Sequence, residues 1–176
     1  MGLRERGESR REPGEAPEPV VYRMRAKLMD LADDYWVRTN HGRTVYQVDG
    51  KAVRLRESFT IRDAGGEVVA RMKERVARVR DTMEIDRPGR PAATVTKALV
   101  DPLRERYVLE AADVGTIEVQ GDVVDHEYTF ERDGRPVAEV SKRWMTVRDT
   151  YGVRVEPGAD PVLVLAATAA IDALDG

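Results

Sequence analysis

The closing segment of the chain restricts everything that comes before it. Asp160-Pro161 reads as a helix N-cap followed by proline at the first helical position. Residues 162–174 (VLVLAATAAIDAL) are then apolar on every side except for Thr168 and Asp172. A helix on the surface of a globular protein shows a polar face, and this one barely does. At 1.5 Å per residue it reaches about 20 Å, well short of the roughly 30 Å hydrocarbon core of a bilayer. Protein must therefore surround it. Val162, Leu163, Val164, Leu165, Ile171 and Leu174 each contribute about 1.5–3 kcal/mol when fully buried. Together they rival the whole net stability of a typical domain, about 5–15 kcal/mol. Asp172 makes the opposite demand: its charge must reach an opening or find a partner, because burying it alone is costly.

The preceding residues are able to surround it. From Val20 to Val155 the rhythm is two, with turn signals every eight to twelve residues, as in an antiparallel barrel or sandwich. Strands are expected near 22–28, 34–39, 44–48, 58–62, 68–73 and 80–85, then near 92–98, 106–110, 116–120, 126–131, 136–143 and 150–155. Asn40-His41-Gly42, Asp49-Gly50, Ala64-Gly65-Gly66, Pro88-Gly89, Gly121-Asp122 and Asp133-Gly134 supply turn chemistry between them. Along 68–73 the alternation is clean, with Val68, Ala70 and Met72 on one face and Arg71 and Lys73 on the other. Strands of five to eight residues, rising about 3.3 Å each, make a tube about as tall as the helix is long. The expected fold is mainly β, a closed antiparallel barrel of about twelve strands around a central hydrophobic C-terminal helix.

The chain also repeats itself. Val69-Ala-Arg-Met-Lys-Glu-Arg-Val-Ala-Arg-Val-Arg-Asp-Thr82 lies without a gap over Val137-Ala-Glu-Val-Ser-Lys-Arg-Trp-Met-Thr-Val-Arg-Asp-Thr150. Upstream, Phe59-Thr60-Ile61 before Arg62-Asp63 echoes Tyr128-Thr129-Phe130 before Arg132-Asp133. Two copies at this spacing suggest a duplicated half-barrel of six strands.

Composition narrows the chemistry. With 176 residues, 41% hydrophobic and 35% charged, the chain has material for one core. The absence of cysteine excludes thiol catalysis, thiolate metal sites and disulfides. Two histidines cannot build a three-histidine metal site, and a net charge of −3 gives no global pull toward nucleic acid. Residues 1–19 are rich in arginine, glutamate and proline and lack an apolar run. They read as a flexible tail without a secretory signal, ahead of a single domain at 20–176.

Several motifs carry a family resemblance. Met24-Arg-Ala-Lys-Leu28, Tyr46-Gln-Val-Asp-Gly-Lys51, the hairpin from Phe59 to Lys73 and Gly121-Asp-Val-Val-Asp-His-Glu-Tyr128 stand in the order seen in LURP-one-related proteins. So do Arg135-Pro-Val-Ala-Glu-Val-Ser-Lys-Arg-Trp144, Asp149-Thr-Tyr151 and the closing Leu-Ala-Ala-Thr-Ala-Ala-Ile-Asp-Ala run. The chain resembles the short bacterial members of this family, within the tubby-like superfamily. That resemblance implies a twelve-stranded barrel around a central helix and brings no catalytic motif. Tubby proteins bind phosphoinositides, phospholipid scramblases are related, and plant relatives are linked to defence. No equivalent of tubby's lysine/arginine phosphoinositide motif is evident, so that activity does not carry over.

Candidate sites are few. Arg71, Lys73, Arg75, Arg78 and Arg80 form the densest basic run, with Arg54 and Arg56 upstream. Gathered on one rim they could hold phosphate groups; interleaved with Glu67, Glu74 and Asp81 they are a solvated outer face. His126, between Asp125 and Glu127, invites a metal reading, but strand alternation would send its neighbours to the other face. The Arg80-Asp81 and Arg148-Asp149 pairs read as structural charges. Trp36, Trp144 and the tyrosines read as strand packing, with no base-stacking platform. No phosphate loop, zinc spacing or Ser/His/Asp constellation can be assembled. The expectation is a non-catalytic cytoplasmic barrel, at most peripheral at a membrane, needing no cofactor or metal. Its partner would be an anionic lipid headgroup or another protein, and not nucleic acid. The alternative is a lipid-handling protein of the scramblase type.

Overall fold

The computed structural model describes residues 16–26, 34–49, 58–75, 81–98 and 105–175. The tail expected over 1–19 lies mostly outside these residues. Twelve strands form: β1 (Val20–Arg25), β2 (Tyr35–Thr39), β3 (Thr44–Asp49), β4 (Ser58–Asp63), β5 (Val68–Arg75) and β6 (Thr82–Asp86), then β7 (Ala93–Ala98), β8 (Glu105–Ala111), β9 (Gly115–Asp122), β10 (Glu127–Arg132), β11 (Arg135–Ser141) and β12 (Thr150–Val155). Helix α1 (Pro161–Asp175) ends the described chain. Every strand pairs antiparallel with its sequence neighbours, and β1 pairs with β12 to close the barrel, so no ladder edge is left open.

Alternation decides what faces inward. On β5, Ala70 and Met72 are buried while Arg71 and Lys73 are exposed, and the other strands repeat the pattern. The inward residues merge with residues 163–171 of α1 into one apolar core. The helix touches β5, β6 and β7 on one side and β12 on the other. Because β6 and β12 stand six strands apart, a helix in contact with both occupies the lumen. Asp160 caps it: Oδ1 accepts from the Val162 and Leu163 amides, at 3.0 and 3.3 Å.

The internal repeat maps onto symmetry. β4 and β5 lie six strands from β10 and β11, which places the two copies opposite each other. The aspartates at the ends of the copies do the same work. Asp81 accepts the Lys97 amide through its carbonyl (3.1 Å), and Asp149 accepts the Ala26 amide (2.8 Å), each joining a strand start to the next strand. Within the first copy, residues 76–80 are outside the described residues, so Arg80 of the Arg80-Asp81 pair is too.

Two expectations need correction. His126 is not on a strand: it ends the β9–β10 turn with φ +53°, and β10 begins at Glu127. The alternation argument about its neighbours therefore does not apply. The expected strand at 136–143 stops at Ser141, because Glu127 draws the chain aside. Its carboxylate accepts from the Ser141 hydroxyl (2.9 Å) and the Lys142 amide (3.1 Å). A 3-10 turn follows at Lys142–Trp144, with the Ser141 hydroxyl accepting the Arg143 amide.

Candidate functional site

Arg71, Lys73 and Arg75 share the outer face of β5 and are all exposed. Arg78 and Arg80 lie outside the described residues, as do Arg54 and Arg56. On one flank the row meets hydroxyls, with Thr60 opposite Arg71 and Ser58 opposite Lys73. On the other it meets acids: Asp86 stands opposite Arg71, Glu84 opposite Lys73, and Glu84 lies 3.5 Å from Arg75. The described cations thus form a line along the wall with acids on one side.

The end of the barrel that α1 enters holds a cleft of about 600 Å³. Four connections far apart in sequence frame it: the turns after β6, β8 and β10 and the β12–α1 link. Ile117, Val137, Leu163 and Val164 lie buried beneath it, and the surface it presents is mostly polar, with Arg90 and Arg132 in its wall. Behind it Arg87 is buried at 2% exposure, yet carries two ion pairs. Its guanidinium donates to Asp160 at 2.7 Å and to Asp113 at 2.8 Å, and Arg90 reaches Asp113 at 3.2 Å. The hydrogen bond from Arg87 holds the Asp113 carboxyl below the usual carboxylate value. Glu156, also in the wall, sits 3.4 Å from Arg154. Each acid of the cleft already has a cation. Arg132 donates to the Val114 carbonyl (3.1 Å) and has no carboxylate partner among the described residues.

At the opposite end, where α1 finishes, Asp172 has a 5% exposed side chain and a partner. The Tyr151 hydroxyl donates to it at 2.8 Å, and His126 Nε2 approaches to 3.2 Å without hydrogen-bond angles. The His126 ring stacks on Tyr151 with centroids 4.4 Å apart. Burial pushes the Tyr128 and Tyr151 hydroxyls well above the ordinary phenol range, and the nearby Asp172 charge adds to the effect. This cluster anchors the helix end. No group of three histidine, aspartate or glutamate side chains among the described residues is arranged to hold a metal.

Sequence reasoning missed the cleft. Asp160 was visible as an N-cap, but nothing local marks Arg87, Arg90, Asp113 and Arg132 as neighbours. Both tryptophans lie outside the barrel: Trp144 packs against β12 over Gly152, in line with the strand-packing reading, while Trp36 is 44% exposed on the outer face of β2.

No helix among the described residues is long and apolar enough to cross a membrane. No curated protein matches the chain. Among solved structures, the X-ray structure of an Arabidopsis thaliana protein aligns with a TM-score of 0.63 at 14% identity, covering 92% of this chain and 94% of that one. That likeness establishes the shared fold. The family model described as LURP-one-related matches residues 20–172, nearly the whole barrel and its helix. The chain belongs to the LURP-one-related family.

Proposed function

We propose that this protein is a non-catalytic binding module that engages anionic lipid headgroups at a membrane surface, with Arg71, Lys73 and Arg75 as the contact row. The observation that supports it is three exposed cations on one strand face, flanked on the β4 side by hydroxyls. Successive members are about 6.6–6.8 Å apart, and arginine can grip a phosphate with two hydrogen bonds. Arg78 and Arg80 extend the row in sequence and belong to the same proposal. Each cation near an anionic leaflet contributes about 1 kcal/mol. Glu84 and Asp86 offset part of that, so the whole row is worth about tenfold in partitioning or somewhat more. The reading makes the protein peripheral at a cytoplasmic membrane face. A scramblase-type activity has less support, since it requires α1 to leave a lumen in which residues 163–171 are buried.

Co-sedimentation with vesicles of neutral lipid, with and without phosphoinositide, tests the proposal. Binding is expected only with the anionic lipid, weakening as salt screens the charges and falling about tenfold in an Arg71/Lys73/Arg75 triple alanine variant. Pelleting that is indifferent to lipid charge, or unchanged in the variant, overturns it and favours a scaffold that binds protein.

A further inference from the structure

We infer that the outer face of β1 and β2, between Trp36 and Trp144, is a docking surface that receives an extended acidic peptide segment of a partner protein. Arg23 on β1 stands directly opposite Arg38 on β2. Like charges in that position repel and destabilise the strand pair, so the face is improved by an anion laid across it. The next step along each strand brings Arg25 and Trp36. The remaining ladder neighbours are uncharged: Gly152 beside Arg23, Thr150 beside Arg25, Thr44 beside Arg38 and Gln47 beside Trp36. None of the three arginines has a carboxylate partner among the described residues. Asp34, the acid just before β2, accepts from Gln47 at 2.5 Å. The β5 row differs, since Glu84 and Asp86 stand alongside its cations. The three charges also converge on Tyr35: burial pushes its hydroxyl above the ordinary phenol range, and Arg23, Arg25 and Arg38 oppose the rise.

Geometry selects a peptide. The barrel is closed, so no partner can add a strand, and recognition must go through side chains. Arg23 and Arg25 are about 6.6–6.8 Å apart along β1, which is also the repeat of alternate side chains in an extended segment. Aspartate or glutamate at every second position therefore meets the arginines in register, and each guanidinium can hold a carboxylate with two hydrogen bonds. The tryptophans supply apolar contact, and exposed tryptophan beside arginine is the composition of the energetic centre of protein interfaces. Trp144 rests on the wall, its ring 2.9 Å from where a Gly152 Cβ would sit. It offers a surface to pack on and not a probe that inserts into a bilayer.

This face is separate from the β5 row, and its test reads peptide binding and not lipid binding. Fluorescence anisotropy of a labelled peptide that alternates glutamate and threonine, with leucine at each end, tests it on the full chain in low salt. Micromolar binding is expected, weakening as salt rises and absent when lysine replaces the glutamates. Arg38→Glu is expected to weaken binding at least tenfold. The same variant should keep or raise the urea midpoint, since it faces Arg23 with an opposite charge, and so lost docking is told apart from lost folding. Arg38→Lys should retain most of the affinity, and Trp36→Ala should cost about fivefold or more. Arg106→Glu makes an equal charge change on exposed β8, across the barrel, and should bind as the parent does. No peptide binding at millimolar concentration overturns the inference. So does equal binding by the lysine peptide, or parent affinity in Arg38→Glu. Anionic vesicles or a thymidine oligonucleotide that displace the peptide more strongly than unlabelled peptide does would overturn it too, and would give the face to a membrane or to nucleic acid.

Discussion

Gly152 shows how much one missing methyl group can decide. It points outward from β12, yet it is buried, because the Trp144 ring and the Met145 methyl lie over it. A Cβ built there would come within 2.9 Å of Trp144 and 3.1 Å of Met145. Gly152→Val is expected to lift the indole off the wall and cost about 1–3 kcal/mol of stability, the usual penalty for overpacking. A red-shifted tryptophan emission together with a lower chemical midpoint would check it. Gly121 is constrained differently, with φ +142° and the Tyr128 Cα 2.6 Å from where its Cβ would sit. Tyr151 supplies a polar counterpart. Its hydroxyl is the hydrogen-bond donor to a nearly buried Asp172 carboxylate, so Tyr151→Phe should cost about 1–3 kcal/mol. The phenols also set an alkaline limit. Burial holds Tyr128 and Tyr151 well above 10 in the folded state, and burial pushes Tyr46 up to about 12. Above pH 10 the unfolded chain therefore binds fewer protons than the folded one. The contribution of these groups to stability is fully present below pH 10 and is lost as pH rises beyond it. Absorbance at 295 nm should show Tyr128 and Tyr151 ionising only together with unfolding. Early ionisation of all six tyrosines in a folded protein would contradict their burial.

At the scale of elements, the sequence was legible wherever structure follows local periodicity. Alternation announced the inward faces of β5 and its neighbours, Pro88-Gly89 and Asp133-Gly134 announced turns, and Asp160-Pro161 announced α1. Contacts that depend on distant residues were not legible. His126 looked like a strand residue because its tetrad carries no glycine at the position with positive φ; the nearest hint was Asp122, whose side chain accepts the Asp125 amide at 2.9 Å. The Arg87 brace was equally hidden, since its partners lie on the β8–β9 turn and at the start of α1. It joins two elements at a buried charge, so removing one partner strands the others. Asp160→Ala loses both the cap and an Arg87 bond, and is expected to cost more than the about 0.5–2 kcal/mol of a cap alone. Asp160→Asn keeps a capping oxygen and should recover part of the loss. Equal denaturation midpoints for the two variants would show that the cap carries no weight.

At the scale of the molecule, closure and filling depend on each other. A twelve-stranded ring has no open edge, but its inward faces are apolar all the way round and need an apolar occupant. The helix is apolar all the way round and needs a wall. The duplication supplies that wall from two similar halves, with β5 and β11 facing each other across α1. The exposed cations of β5 and the cleft then sit on the outside and at one end, in places where the core does not dictate residue identity. For that reason the fold could be read from pattern while the cleft could not.

The account stands on α1 being the core of the barrel. Near-UV circular dichroism of a chain ending at Gly158, followed through urea unfolding beside the full-length protein, tests this most directly. The truncated chain is expected to aggregate or to lose its near-UV signal and its cooperative transition. A soluble truncated chain with native near-UV bands and a single sharp transition would mean that the barrel holds itself up without the helix.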